Sequence, residues 1–334
     1  MIKIGVDAMG GDFAPKITVL GAMDAIKKYS DIEITLFGDE KRIKEYLTDS
    51  TRINIVHTDR VVDMGEHNPI GEIRAHKDSS LAMAMQAARD GVVDAIVSAG
   101  PTQVVVVAAH LIVKRIPEMK KVAIAPIIPS FDGRGKILLD SGANVELKAE
   151  HINDLAFYAT VVSKEVLGVS NPKVGLVNIG TEEGKGREVD QEAYEMLKNN
   201  KKINFGGNVE PKEAFFTDCD ILVTDGFTGN IMMKSIEGTA KAFKNMLKQE
   251  IKASKKASIG YALFMKKAMK KFAKRFDASE IGGAMICGVN VPIVKAHGSS
   301  DPFAFMNAIR QARQLVEGRV VEKVISTYRS EKSE

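Results

Sequence analysis

The chain has 334 residues, 45% of them hydrophobic and 27% charged, the balance of a globular protein long enough for one large α/β unit or two lobes. Its two cysteines, Cys219 and Cys287, lie far apart with neither Cys-x-x-Cys nor metal-ligand spacing, which excludes a disulfide scaffold and suits a reducing cytoplasm. The formal net charge of +4 favours acidic partners without choosing among nucleic acid, anionic lipid, phosphate and an acidic protein, and no uninterrupted apolar stretch of about 18 residues is present to span a bilayer.

The opening MIKIGVDAMGGD lacks the apolar core of a signal peptide and runs directly into a strand and turn. Ile2, Ile4 and Val6 alternate before a Gly-Gly turn, and Pro15 opens a helix predicted to reach about Lys28. IEITLFG (32–38) and INIVH (53–57) read as strands with a helix between them. DAIVSAG (94–100) is a further strand, with a helix from Pro101. VAIAPII (122–128) and KILLD (136–140) read as strands around a glycine-containing loop, and a helix follows over 148–167. KVGLVNIG (173–180), a helix over 187–199 and DILVTDG (220–226) continue the alternation. Apolar strands separated by helices predict a three-layer α/β/α sandwich around a mostly parallel sheet, one catalytic domain over 1–330, and a polar tail over 328–334.

Ligands of such folds bind beyond the C-terminal ends of the strands. Glycine and polar residues gather there: AMGGD, SAGPT, DSGAN, NIGTEEGKG, TDGFTGN and KAHGSSD. Glycine permits tight turns and close backbone approach, and each following helix aims its N–H groups at the same space. Asp7, Gly10, Gly11 and Asp12 with Lys16 read either as a phosphate cradle or as a plain turn with Asp12 capping the helix. No G-x-G-x-x-G dinucleotide fingerprint is present. The stretch 180–187, containing Gly180, Thr181 and Lys185, fails as a P-loop because glycine follows Gly184-Lys185, and it reads equally as a ligand loop or a solvent loop. Asp225, Gly226, Thr228, Gly229 and Asn230 open a long helix, with Thr228 as the expected cap. His297 is the one histidine set in a glycine-serine turn at a strand end, followed by Gly298, Ser299 and Ser300. No G-x-S-x-G elbow marks a serine nucleophile. Arg74 and Lys77 precede Ser79 and Ser80, which suit either phosphate or a helix cap.

The stretch 241–275 is rich in lysine and almost free of acid after Glu250. Ile259, Ala262, Met265, Met269, Phe272 and Phe276 fall on one helical face, and lysines 266, 267, 270, 271 and 274 take the other. A basic amphipathic helical pair protruding over 240–280 is therefore expected, suited to a membrane surface through Met265, Met269 and Phe272, or to a dimer interface. No nucleic-acid motif accompanies the lysines, so nucleic acid is not an expected partner.

Together the loop motifs resemble the phosphate acyltransferase family. VDAMGGD-x-AP, R-x-x-K-x-SS at 74–80, LD-x-GANV at 139–145, NIGTEEGKG at 178–186, TDGFTGN at 224–230 and KAHGSSD at 295–301 match in order and spacing across essentially the whole chain. The resemblance implies a fold akin to the isocitrate/isopropylmalate dehydrogenase-like group. It also implies a homodimeric, cytoplasmic enzyme attached peripherally to the membrane. Such an enzyme moves a long-chain fatty acyl group from acyl carrier protein to inorganic phosphate, for a downstream membrane glycerol-3-phosphate acyltransferase, without cofactor or metal. Carried over by position, His297, Lys185, Asp225 and Asn230 are the expected catalytic residues. The remaining residues of the first loop, with Arg74, Lys77, Thr102, Asn144, Gly180, Thr181, Gly226, Thr228, Gly229 and the 298–300 turn, are the expected phosphate and substrate contacts. The chain departs from the family at Pro101 and Gln103, where asparagine and glycine are usual. Rival readings are a coenzyme A-dependent phosphate acyltransferase, a decarboxylating dehydrogenase suggested by fold analogy alone, and a non-catalytic membrane-docking scaffold.

Overall fold

The computed structural model describes residues 1–275 and 278–331. Short apolar runs form buried strands, and each hands over to a helix. The first half comprises β1 (Ile2–Asp7), α1 (Lys16–Lys28), β2 (Ile32–Gly38), α2 (Glu40–Lys44), β3 (Ile53–His57), α3 (Pro69–Ala75), α4 (Ser80–Arg89), β4 (Ala95–Ser98), α5 (Thr102–Ala108) and β5 (Ala123–Ala125). There follow β6 (Ile127–Ile128), β7 (Lys136–Leu139), α6 (Ala149–Glu165), β8 (Lys173–Val177), α7 (Glu188–Asn199), β9 (Asn204–Val209), β10 (Ile221–Val223) and α8 (Gly226–Ala253). After α9 (Lys255–Gly260), α10 (Lys266–Arg275) and α11 (Ala278–Ile281), the chain ends with β11 (Gly283–Cys287), β12 (Ile293–Ala296), α12 (Pro302–Glu317) and α13 (Val320–Glu331).

The parallel-dominated α/β class read from the sequence is what the chain forms, but the strands divide into two sheets rather than one. The first has the order β3-β2-β1-β4-β12-β11-β5, and the second β6-β7-β10-β8-β9. In the first sheet only β11 runs against its neighbours; in the second only β6 does. The run 122–128, read as one strand, is two strands in different sheets, β5 and β6, with Pro126 between them. Proline has no N–H for a ladder, so pairing breaks there and the chain turns from one sheet to the other. Strands β9 and β11 were not predicted. NFGGNV carries two glycines and an asparagine at its centre, and GAMIC lacks the β-branched density that marks a strand in sequence. The helix α13 extends to Glu331, so the tail read from residue 328 begins as helix, and 332–334 lie outside the described residues.

One core cluster joins the two sheets. It contains Ile4, Leu36 and Val97 of the first sheet, Leu139, Leu176 and Val223 of the second, and Leu155 of α6 and Phe305 of α12 between them. By contrast α8 buries only Gly226, Gly229 and Met232, and Phe243 and Met246 further along are 60% and 66% exposed. A π turn at Tyr261–Met265 links α9 to α10. It adds a residue to the helical turn and shifts the apolar face: Ile259, Leu263, Phe264 and Met265 are exposed, while Met269 is half-buried. Phe276 lies outside the described residues, as do the side chains of Ala262, Lys270, Phe272 and Lys274. No helix among the described residues is long and apolar enough to cross a membrane.

Candidate active site

Three neighbouring parallel strands, β1, β4 and β12, end side by side. Their register aligns Asp7 with Ser98 and Ser98 with Lys295. Asp7 is buried, and its carboxylate accepts from Ser80 Oγ and Ser98 Oγ, each at 2.7 Å. Burial raises its pKa, while the two serine hydroxyls and the backbone N–H groups of Met9 and Gly10 pull it down. Ser98 Oγ in turn accepts from the Gly100 N–H at 3.0 Å, which ties the β4 loop to the β1 loop. A Cβ on Gly10 would lie 2.4 Å from Asp7 Oδ2 and 2.7 Å from Gly100 N, so only glycine fits. Gly11 adopts φ +112°, and the adjacent Asp12 N–H donates to Gly298 O at 2.9 Å, bringing in the β12 loop. In that loop the exposed His297 has Nδ1 2.9 Å from Ser299 Oγ, and Ser300 is buried with no partner for its hydroxyl.

The second sheet assembles a similar set of loops. Asp140, at the end of β7, accepts from the N–H groups of Gly142, Ala143 and Asn144, from Asn144 Nδ2 and from the Ile124 N–H of β5. The first turn of α8 rests against this loop: a Cβ on Gly226 would meet the Asn144 carbonyl oxygen at 2.2 Å and Asp140 Oδ2 at 2.8 Å, and one on Gly229 would meet the Asp140 carbonyl oxygen at 1.9 Å. Asp225 caps α8 by accepting from the Thr228 N–H at 2.8 Å, so the cap is Asp225 and not Thr228. The same carboxylate pairs with Arg187 at 2.6 Å, which fastens the β8 loop to the start of α8. The Asp190 carboxylate, and then Asp225, push the Arg187 pKa up. Asn178 and Asn208 hold the loop from below, donating to Lys185 O at 3.0 Å and Glu182 O at 2.7 Å. The two loop groups adjoin where β5 meets β7, since Ser141 N also donates to Ile124 O at 3.0 Å and Ala143 packs on the cluster that holds Val104 and Val105 of α5.

The predicted residues thus separate by setting. Gly10, Gly11, Asp12, Gly298, Ser299, Ser300 and His297 share one loop cluster, with Asp7 beneath it as an internal acceptor. Asn144, Asp225, Gly226, Thr228, Gly229 and Asn230 share the other, where the Asn144 amide nitrogen and the Asp225 carboxylate are already engaged by the fold. Lys16 and Thr102 stand exposed at the first positions of α1 and α5, two helices without a side-chain cap; Asp12 therefore does not cap α1. Gly180 is half-exposed, and Thr181 and Lys185 are exposed in the β8 loop, with Lys185 Nζ 3.8 Å from Glu182. Arg74 and Lys77 are exposed on or after α3 and join neither cluster by a direct contact, while Ser79 caps α4 and Ser80 serves Asp7. The sequence offers Ser80 as a phosphate contact or a cap and Ser98 as part of a loop frame, not as supports of Asp7, and it gives no role to Asp140, Arg187 or Lys295. All five sit inside the motifs that were singled out, but their partners are distant in sequence, as with Ser98 and Asp7 at a separation of 91 residues. A cleft of about 550 Å³ between α6, α7 and α13 lies away from both clusters and contains none of the predicted residues.

The fold of two parallel-dominated sheets resembles that of solved phosphotransacetylases. A phosphotransacetylase from Staphylococcus aureus superimposes with TM-score 0.60 at 14% identity, covering 94% of each chain. One from Streptococcus pyogenes gives 0.61 at 16%, again over 94% of each. A 4-hydroxythreonine-4-phosphate dehydrogenase from Klebsiella pneumoniae shares the fold at TM-score 0.55 and 12% identity, over 95% of this chain and 98% of that one. A family model described as fatty acid synthesis protein matches residues 2–323. The chain is 48% identical over 333 residues to a phosphate acyltransferase of Acholeplasma laidlawii, covering 99% of both chains, and 43% identical over 330 residues to one of Bacillus thuringiensis, with the same coverage. The chain belongs to this phosphate acyltransferase family, as its loop motifs led us to expect.

Proposed function

We propose that the chain is an acyltransferase that moves a long-chain fatty acyl group from acyl carrier protein onto inorganic phosphate, giving acyl phosphate for phosphatidic acid synthesis by a membrane glycerol-3-phosphate acyltransferase. The observation that carries the reading is the convergence of the β1, β4 and β12 loops. Their glycines exclude side chains where backbone N–H groups approach one another, and His297 stands at their mouth.

A phosphate oxygen attacks the thioester carbonyl, the C–O bond forms, the oxyanion collapses and the C–S bond breaks. The departing thiol has a pKa of about 8.5 and leaves without strong acid assistance. Phosphate is itself a nucleophile near neutral pH, so the protein's work is orientation and charge stabilisation. The backbone N–H groups of Gly11, Gly226 and Phe227 donate to phosphate or the oxyanion, those of Gly10, Thr228 and Gly229 being held by Asp7 and Asp225, and Lys16 or Lys185 offsets phosphate charge. His297 Nδ1 is taken by Ser299, which leaves Nε2 to orient phosphate or protonate the leaving sulfur. Phosphate itself supplies the nucleophile, so the reaction needs no acyl-enzyme.

The reading extends to assembly: a homodimer in the cytoplasm, grouped with the isocitrate dehydrogenase-like enzymes, that docks on the membrane through the helical pair over 240–280. Its support is the exposure of Phe243, Met246, Leu263, Phe264 and Met265 among lysines that also suit the acidic carrier protein. The fold likeness to phosphotransacetylases keeps one second reading, coenzyme A as the carrier. The deciding experiment measures thiol release from long-chain acyl carrier protein and from acyl coenzyme A, with and without phosphate, and traps acyl phosphate with hydroxylamine. Phosphate-dependent release from the carrier protein with a trapped product is expected. Release from coenzyme A alone selects the second reading, and release independent of phosphate overturns both.

A further inference from the structure

Lysine 295 is the one residue of the β1–β4–β12 row whose charge has no contact partner. It is 8% exposed, and its register partner on β4, Ser98, is in turn the partner of Asp7 on β1. Residues paired across neighbouring strands project from the same face, so the three side chains form one row beneath the glycine loops. Asp7 and Ser98 satisfy each other at 2.7 Å. Lys295 Nζ donates to Ala296 O, the carbonyl of the next residue, and among the described residues no carboxylate lies in ion-pair contact with it. An ammonium carries three N–H donors, so the row leaves donor capacity unused. Asp7 and Asp12 act on this amine only at longer range, and burial holds its pKa down to about 8.

The other buried lysine shows what a structural amine looks like here. Lys136 Nζ donates to Thr217 O and Cys219 O, both at 2.6 Å, and closes two loops of the second sheet. Lys295 closes none. Burying a cation without a contact partner is costly, and the cost falls when an anion arrives. The same strand end supplies a second open donor in Ser300, 8% exposed with its hydroxyl unpartnered. An amine, a hydroxyl and glycine-flanked backbone N–H groups suit a small oxyanion carrying more than one charge.

We propose that the Lys295 ammonium is the inner counter-charge of the phosphate subsite, with Ser300 as a second donor, so that inorganic phosphate completes a charge pair the fold leaves open. This rests on the reaction proposed above and adds the residue that reads its nucleophile.

The test uses the full chain and inorganic phosphate as the probe. Millimolar phosphate raises the melting temperature of the natural protein. In Lys295→Met the melting temperature without phosphate equals or exceeds that of the natural chain, because an uncompensated charge is gone, and the rise with phosphate is lost. In turnover the KM for phosphate increases about tenfold or more, while the KM for the acyl thioester stays within about twofold. Ser300→Ala gives a smaller rise in the phosphate KM alone. A natural chain without a phosphate shift, a Lys295→Met variant that keeps the shift or its phosphate KM, or one that melts several degrees lower or fails to fold, overturns the proposal, since a structural amine behaves in those ways. The failure of the acyl-transfer reading is seen separately, as absence of phosphate-dependent thiol release from the natural chain.

Discussion

Asp7 is a buried carboxylate and Asp154 a half-buried one, and they differ in what surrounds them. Asp7 has two serine hydroxyls and two backbone N–H groups to offset its burial. Asp154, on α6, has the Tyr328 hydroxyl at 3.2 Å against its burial, and its pKa is pushed up to about 6. Asp154 therefore binds its proton more tightly folded than unfolded. Its contribution to stability is fully present below pH ~4, where the unfolded chain is protonated too, and is lost as pH rises through about 6. With a discount for its partial exposure to solvent, the loss is on the order of 1–2 kcal/mol. Urea unfolding of the natural chain and Asp154→Asn at pH 4.5 and 7.5 checks this: the variant gains relative stability at the higher pH, and an unchanged difference between the two pH values rules the argument out. At this scale the sequence displayed the reactive-looking loops but not their supports. His297 and the glycines are local features, whereas the Asp7 network depends on contacts 73 and 91 residues apart.

Local chemistry predicted most elements, and it failed where an element's role depends on a neighbour. Pro126 was visible, but its effect, sending β5 and β6 to different sheets, required knowing that two sheets exist. Capping of α8 falls to Asp225 because its carboxylate serves both the Thr228 N–H and Arg187, a demand that the sequence of the helix does not contain. In the basic segment a strict 3.6-residue period selected Met265 and Met269, while the π turn at Tyr261–Met265 exposes Leu263 (71%) and Phe264 (82%). If this segment docks on membrane, those two side chains enter first. Replacing both with serine is expected to weaken retention on anionic phospholipid vesicles by roughly tenfold or more, given about 1.5–3 kcal/mol for each large apolar side chain buried. Retention equal to that of the natural chain in a vesicle sedimentation assay removes the π turn from the contact.

Across the whole molecule, the two sheets share one apolar cluster, with Leu155 and Phe305 contributed by α6 and α12. A shared core couples the sheets energetically, so they are expected to unfold together. Leu155→Ala removes a side chain that is 1% exposed and is expected to cost about 2–5 kcal/mol while preserving a single transition. Circular dichroism and tyrosine fluorescence that separate into two unfolding midpoints are the result that contradicts a common core. By itself the sequence determined the α/β class, the order of most elements, the family and the glycine-rich loops, because strand periodicity, turn chemistry and helix starts are set by residues close together in the chain. The tertiary structure decided the division into two sheets, the serines that hold Asp7, the pairing of Arg187 with Asp225 and the burial of Lys295 with no contacting carboxylate among the described residues. Each of these is a contact or an absence of contact between distant segments, and its energy exists only once the strands are side by side.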